Sequence, residues 1–507
     1  VVLARTVTEA ARRFGDRTCL VAPGGWELSY RDLDRLSDEA AVALARRGLG
    51  PGGTLALVLE PCPEYVVLYA AAAKLGAATA GVNHRLTGAE RSAVLEVADP
   101  DLVVASPALA PGHVDLPVEV LTPLEDPGGG GPGRVLAGLR VAGEAPGLLA
   151  EDPERPVAVV FTSGTTGLPK GAVFGGRQLE FICGVDTGHR WADPAVAPTH
   201  SLAGTSLTHL GPMTKLAGNL HRGGTTHLVR RWRADEALAL TARHRMPGIA
   251  GIPTQLALML RRPEMETLDL SCVRAIVIGG GPATPALVRE ARARFRAPLA
   301  VRYACTEAGI GVGTELTDPP EDAEESVGRP HAGVELSIRD EEGRRLPPGE
   351  VGEVCLRSPA VMSGYHRDPA ATAAAFWPDG AVRTGDLGHL DERGRLHLAG
   401  RAREMYVRGG YNVYPMEVEA VLAGHPAVAE VVVVPRPDEV MGEVGVAVVV
   451  PRDPAAPPTL EDLRSWAGQR LARHKLPDDL TLADTLPLTA MDKVDRRAVR
   501  ARLTGGT

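Results

Sequence analysis

The stretch Val157 to Phe161, VAVVF, is apolar at every position, with no polar face to turn toward water. A strand of that kind is covered on both sides, which is the condition of a central strand in a parallel sheet flanked by helices. Leu55 to Leu59 reads the same way, as does Val273 to Ile278 apart from Arg274. Helical patterns alternate with these runs. From Ser29 to Gly48, Ser29 and Asp32 form an S-x-x-D cap, Leu33, Leu36, Ala40 and Leu44 line one face, and Gly48 supplies the stop. The alanine-rich run from Leu68 to Val82 reads as a packed helix. Strands alternating with helices predict an α/β fold with parallel and mixed sheets.

The chain has 507 residues, more than one ordinary core accommodates, so at least two domains are expected. Ser106 to Pro153 is rich in proline and glycine, with four glycines at Gly128 to Gly131, and reads as a surface excursion. From Glu335 onward the pattern changes to short strands and turns, such as Gly349 to Leu356 and Arg395 to Ala399, which predicts a β-rich subdomain within residues 1–403. Residues 404–507 carry a separate α+β pattern. Pro415 opens a helix with Val418, Val421 and Leu422 on one face. Strands Val431 to Val434 and Val444 to Val450 follow, then a helix around Leu460 to Arg473.

Bulk properties exclude some functions. A net charge of −8 argues against an extended nucleic-acid surface. Six cysteines lie scattered, without zinc or C-x-x-C spacing, and read as reduced thiols of a cytoplasmic protein. No apolar run reaches the roughly 18 residues of a membrane span.

Phe161 to Gly171 reads FTSGTTGLPKG. A buried strand runs into small hydroxylated residues and glycines, then a single lysine. Gly164 and Gly167 let backbone N–H groups converge on an anion. Thr162, Ser163, Thr165 and Thr166 supply hydroxyls, and Lys170 adds a point charge. This is a phosphate cradle by composition, although the G-x-x-x-x-G-K-[ST] spacing is absent. A second lysine stands out in PLTAMDKVDRR, Pro487 to Arg497. The chain has five lysines against fifty arginines, and Lys493 is one of the five. An ammonium is compact where a guanidinium is a planar fork, so a retained lysine marks a site that needs the smaller shape.

The glycine loop resembles the phosphate loop of the ANL adenylate-forming superfamily, and the likeness continues along nearly the whole chain. Pro198 to Gly204, PTHSLAG, resembles the segment beside the acyl pocket and puts His200 and Gly204 there. Gly279 to Pro282 is similar to the glycine segment lining the adenine and acyl sites, with Gly280 and Gly281. Tyr303 to Glu307, YACTE, resembles Tyr-Gly-x-Thr-Glu. The resemblance implies that Tyr303 stacks on adenine, Thr306 contacts the α-phosphate, Glu307 holds magnesium, and Ala304 lies at the acyl group. Asp386 of Thr384-Gly385-Asp386 would accept both ribose hydroxyls, with Arg401 beside it. Gly409 and Gly410, in GGYNVYPMEVE, would line the pantetheine tunnel. Glu404 falls at the hinge, where Asp or Lys is more usual, and Lys493 falls at the catalytic lysine.

The reaction implied is activation of a small-molecule carboxylic acid with ATP and Mg2+ through an acyl-adenylate, then transfer to coenzyme A. Lys493, Lys170, Thr306 and Glu307 would share the charge of the first step. The small domain would then rotate about Glu404. Alternatives stand beside this reading. The acceptor is a carrier-protein phosphopantetheine; or the chain is a non-catalytic nucleotide sensor; or adenylation is lost and a separate adenylating enzyme supplies the adenylate. The last rests on two departures. Asp492 stands directly before the lysine, and Ala304 stands within YACTE, where the superfamily has glycine. An amino-acid substrate lacks an obvious carboxylate for its amine, Asp186 being nearest. A homo-oligomer is carried as a further expectation. Small residues at Ala203, Gly204, Gly280, Gly281 and Ala283 point to a roomy apolar pocket, unless the glycines serve only backbone turns.

Overall fold

A computed structural model describes residues 2–111, 117–125, 134–163, 169–489 and 493–504, with the backbone alone at 163 and 504. The apolar runs form the expected parallel layer. Thr54–Val58 lies between Ala78–Gly81 and Leu102–Ala105, parallel to both, and Pro156–Ser163 joins beyond Ala78–Gly81. Val118–Val120 extends one edge; Pro169–Gly175 and Gly364–Tyr365 add antiparallel strands at the other, making seven. The two faces of Thr54–Val58 explain the unbroken apolar run at 55–58. Leu55 and Leu57 enter a core with the helices Tyr30–Ala45 and Pro63–Leu75, whereas Ala56 and Val58 meet Val94 and Leu95 of the helix Gly88–Ala98.

The helix Tyr30–Ala45 is capped as expected. Ser29 Oγ accepts from the Asp32 N–H at 3.0 Å, and Leu33, Leu36, Ala40 and Leu44 are all buried. The run Leu68 to Val82 is a helix only in part. Pro63–Leu75 stops at Gly76 (φ 73°), and the chain returns as the strand Ala78–Gly81. A helix packed all round and a central strand both take small apolar residues, so periodicity does not separate them. The second helix of the small domain is also shorter than expected. It covers Leu460–Gly468, and a separate 3-10 turn holds Arg473–Lys475.

Three further sheets complete the larger body. Gly248–Gly251, Ala275–Gly279 and Leu299–Tyr303 run parallel, extended by the short antiparallel strands Val312–Gly313 and Arg329–Pro330. His200–Ala203, Thr225–Leu228 and Thr18–Val21 are parallel, edged by Glu27–Ser29. The β-rich segment is a four-stranded antiparallel sheet of Glu335–Arg339, Gly352–Arg357, Val382–Leu390 and Leu396–Arg401. The fold is a mixed α/β assembly of this large N-terminal part and a small α+β C-terminal part.

In the C-terminal part, Val428–Asp438 and Gly442–Pro451 form a long antiparallel pair, joined by Tyr406–Arg408, Tyr411–Val413 and Asp479–Leu482. The helix Pro415–Leu422 packs Val418 and Leu422 into its core, while Val421 is only partly covered. That helix also lies against Leu396–Arg401, and Tyr414 sits beside Gly400. Arg261 of the large part pairs with Glu430 at 2.8 Å. This seating carries the turn that holds Lys493 onto the glycine segment of the larger body.

Candidate active site

Two strand ends and a hairpin meet around one carboxylate. Asp386 and Arg401 are directly opposed across the antiparallel pair Val382–Leu390 and Leu396–Arg401. Arg401 Nε donates to Asp386 Oδ1 at 3.0 Å, and the Tyr303 hydroxyl donates to Oδ2 at 2.8 Å. Asp386 is buried. Burial lifts its pKa above the usual carboxylate range, against the pull of Arg401 and Tyr303. Thr384 orients the turn, its hydroxyl donating to the Val354 carbonyl and accepting from the Asp386 N–H. An ionised carboxylate has about four lone-pair sites. Two are used by the protein, which leaves one on each oxygen for a pair of adjacent hydroxyls.

A second cluster lies at the base of the glycine loop. Thr162 and Lys170 are paired across the hairpin of Pro156–Ser163 and Pro169–Gly175. The loop positions Gly164, Thr165, Thr166 and Gly167 lie outside the described residues, as does the side chain of Ser163. Lys170 Nζ stands 5.2 Å from the centre of the Tyr365 ring. The Tyr365 hydroxyl donates to Glu307 Oε1 at 2.7 Å, and Thr306 opens the short turn that carries Glu307. Lys170, Tyr365 and Glu307 therefore form one connected group. Glu307 offers a fixed anionic oxygen, the hard ligand that Mg2+ takes, so the residues present fit that ion. Cys305, between the two clusters, has its thiol pushed well above its ordinary range by burial and by the carboxylates of Glu307 and Asp386. It stays protonated and is no nucleophile.

Lys493 comes from the C-terminal part. Its N–H is hydrogen-bonded to Thr489 Oγ1 at 3.3 Å and its carbonyl to the Thr489 N–H at 2.7 Å, in the bridge Leu488–Val494. Its ammonium is 4.0 Å from the place a Cβ on Gly280 would occupy. Burial and the Arg401 charge lower its pKa, and Asp386 opposes them. Asp492 lies outside the described residues.

The acyl side is more selective about its residues. Gly280 has φ 77°, which an L side chain rarely adopts. Gly204 and Gly281 have no such need. A methyl at Gly204 would meet Trp232, Ala250 and Gln255 at 3.5–3.6 Å, and one at Gly281 would meet Pro253 at 3.6 Å, all ordinary contacts. Their missing side chains therefore leave usable volume. Beside them Ser201, Leu202, Trp232, Ile249 and Ile278 border an apolar cavity of about 50 Å³. Gln255 closes it, donating to the Gly204 carbonyl at 2.6 Å and accepting from the Ile252 N–H at 3.2 Å. Asp186 is paired with Lys215 at 3.1 Å.

His200 is not brought to this chamber. It starts the strand His200–Ala203, a strand's length before Gly204, and its ring meets His227 and His244. His200, Leu202 and Gly204 fall on the same face by alternation, but at about 3.3 Å per residue His200 stands roughly 13 Å further back along the strand. Ala304 follows Tyr303 at the end of its strand and is half-buried. Gly409 and Gly410 form the two-residue turn between Tyr406–Arg408 and Tyr411–Val413, both with positive φ (56° and 87°), as such tight hairpins require. Glu404 lies in the turn after Arg401, its carboxylate 3.3 Å from Arg496 Nε. Sequence reasoning missed Tyr365 and Gln255. Tyr365 carried one signal, being one of eight tyrosines in an aromatic-poor chain.

This arrangement matches known proteins over nearly its full length. The AMP-binding enzyme family model covers residues 7–366 and the AMP-binding enzyme C-terminal domain covers 417–493. The fatty acid–[acyl-carrier-protein] ligase ScoC of Streptomyces coeruleorubidus is 34% identical, aligned over 95% of this chain and 92% of that one. An indoleacetate–CoA ligase of Aromatoleum aromaticum is 34% identical, over 94% and 93%. The structure of the amide bond synthetase McbA from Marinactinospora thermotolerans superposes with a TM-score of 0.86 at 31% identity, covering 99% of each chain. The chain belongs to the AMP-binding enzyme family, in the acyl-CoA synthetase branch of the ANL adenylate-forming superfamily. It is an AMP-forming acid–thiol ligase, an enzyme that activates a carboxylic acid with ATP. Among the described residues no helix is long and apolar enough to cross a membrane.

Proposed function

We propose that the enzyme runs both half-reactions, forming an acyl-adenylate from an apolar carboxylic acid and passing the acyl group to coenzyme A. The placement of Lys493 beside Gly280, Arg401 and Asp386 carries this reading. The acid's carboxylate would approach the α-phosphorus of ATP between Lys493 and Thr306, with the ribose on Asp386 and the outer phosphates at Lys170. A magnesium ion on Glu307 would screen the phosphate charge. Positioning and charge neutralisation dominate such a step. Gly204, Gly281 and the cavity behind them favour an apolar acyl group.

The boundary between two moving bodies, 1–403 and 404–507, falls at Glu404 in this reading. Rotation there withdraws Lys493 and brings the Gly409–Gly410 turn toward the thiol's path. Glu404→Pro should then impair the two half-reactions unequally. The cytoplasm, where free coenzyme A and ATP are present, is the compartment this reading requires.

The test is ATP–pyrophosphate exchange over a panel of acids, with mass spectrometry of the adenylate, and separately thioester formation from a synthetic adenylate. Exchange and coenzyme A thioester with the same apolar acid are expected. Thioester formation without exchange, restored by Ala304→Gly with Asp492→Gly, would replace this reading with one in which adenylation is lost. Product formed only with a carrier protein or an amine would change the acceptor.

A further inference from the structure

Outside the reaction site, one face of the four-stranded sheet gathers three imidazoles. Glu27, Val21, His227 and Leu202 form a row across its strands by their pairing. Residues paired in such a row share a face, and His200, two before Leu202, shares it too. The helix Ala234–Arg243 lies against the strand His200–Ala203 and delivers His244 from its C-terminal cap. The result is a cluster whose three ligand nitrogens all lie within 4.8 Å of one another. Among the described residues it is the one group of three such ligands close enough to hold an ion.

We propose that His200, His227 and His244 bind one divalent transition-metal ion of the zinc class, at a site separate from the nucleotide and acyl sites. Tetrahedral Zn–N bonds of about 2.0–2.1 Å put ligand nitrogens roughly 3.3–3.4 Å apart. His200 Nδ1 and His227 Nε2 are 2.9 Å apart, so small rotations of the half-buried His200 and His244 rings reach that spacing. Without metal, one of that close pair donates its N–H to the other. Ion binding moves the donor's proton to its other ring nitrogen, so no net proton is released. Three histidines leave the fourth position to water. Imidazole selects zinc, copper or nickel over magnesium, which takes oxygen ligands, so the site does not compete with Glu307.

The surroundings suit a bound cation. His227 is 4% exposed. Its ring lies beside those of His200 and His244, with centroids 5.2 and 4.2 Å away. Glu27 acts on His227 and His244 with the charge that welcomes a cation, and Arg243 acts against it. Glu27 is fixed by the Thr18 hydroxyl. A bound ion would fasten the helix to the sheet, a positioning rather than a catalytic role. Ala237 and Thr241 of that helix border the same cavity as Ser201 and Leu202.

The test uses the full chain with any affinity tag removed, stripped of metal by chelation. Zn2+ binding is followed by calorimetry, Co2+ binding by its visible d–d absorption, and the thermal midpoint is taken with and without Zn2+. His244→Gln and His200→Gln are compared, since both side chains are half-buried and their loss leaves the core intact. His389→Gln, in the stacked His389–His397 pair, is the control. One Zn2+ per chain is expected, with the four-coordinate Co2+ spectrum and a midpoint raised by Zn2+ in wild type. Losing a direct ligand should weaken Zn2+ binding by no less than the roughly 10–100-fold typical of outer-shell partners. Wild type without stoichiometric Zn2+, equal affinity in wild type and both ligand variants, or an equal loss in His389→Gln would each overturn the site.

Discussion

Replacing Asp386 by Ala tests the ribose assignment most directly. The carboxylate accepts from Tyr303 and Arg401 and has one lone-pair site left on each oxygen. Two hydroxyls bound there would make charge-assisted hydrogen bonds, each about 1.5–3 kcal/mol. Removing both should weaken AMP binding by about 3–6 kcal/mol, or roughly 100- to 20,000-fold. Asp386→Asn keeps the shape and can still accept from Arg401, so it should lose only the charge assistance and fall between Ala and wild type. Calorimetry with AMP reads the affinity, and thermal unfolding shows whether each variant is folded at the assay temperature. The raised pKa of Asp386 adds a pH arm. Binding needs the ionised form, so AMP affinity should decline on acidification from a higher pH than an ordinary aspartate would allow. Unchanged affinity in folded Asp386→Ala would remove the ribose from this carboxylate.

Lys493→Arg should slow ATP–pyrophosphate exchange by roughly 100-fold, because a planar fork misplaces the charge, while thioester formation from supplied adenylate stays near wild type; equal loss of both would deny the lysine a step-specific role. Tyr365→Phe removes one hydrogen bond to Glu307, about 1–1.5 kcal/mol, so the Mg2+ needed for half-maximal exchange should rise roughly 5- to 12-fold, and an unmoved Mg2+ curve would mean that Glu307 is not the ligand. In metal-free protein, the depressed pKa of His227 means the unfolded chain takes up a proton first as pH falls below 6.5. Its stabilising contribution is therefore full above pH 6.5 and lost on the way to about pH 4, a drop of about 1–3 kcal/mol after allowance for solvent screening. Urea unfolding across that range should show a steeper decline in wild type than in His227→Gln, and parallel curves would refute the assignment.

The fold and the site were legible in the sequence to different depths. Contiguous signals transferred well. A strand segment buried on both faces must be apolar throughout, and residues 55–58 and 157–161 are. Signals that depend on position along an element transferred poorly. His200 stands in the right segment, yet its ring belongs to the far end of the strand and to a helix cap. Contacts made by pairing distant segments left no local trace. Tyr303 and Asp386 are 83 positions apart, Glu307 and Tyr365 are 58 apart, and only the folded sheets bring them together.

Lysine scarcity is a signal of a different kind, because it reports geometry through what arginine cannot do. Lys74 is buried against Asp34 and Asp38, its Nζ donating to the Asp34 carbonyl at 2.9 Å and to the two carboxylates at 2.6 and 2.7 Å. Three acceptors converging on one point suit a compact ammonium; a guanidinium spreads its donors over a plane. Lys475 places one nitrogen between both oxygens of Glu417, a carboxylate that an arginine fork could also bind. Lys215, with one acceptor at 3.1 Å, makes a pair that an arginine could also make, so retention alone does not mark a site. Lys170 and Lys493 have no protein carboxylate at that range among the described residues. Lys170 is held over the Tyr365 ring, and Lys493 stands at Gly280 with its pKa already lowered by burial and Arg401. Among the described residues neither has converging acceptors, and a bound group rich in anionic oxygens would supply them. ATP with a carboxylate beside its α-phosphate would supply them, which is the step proposed above for this site.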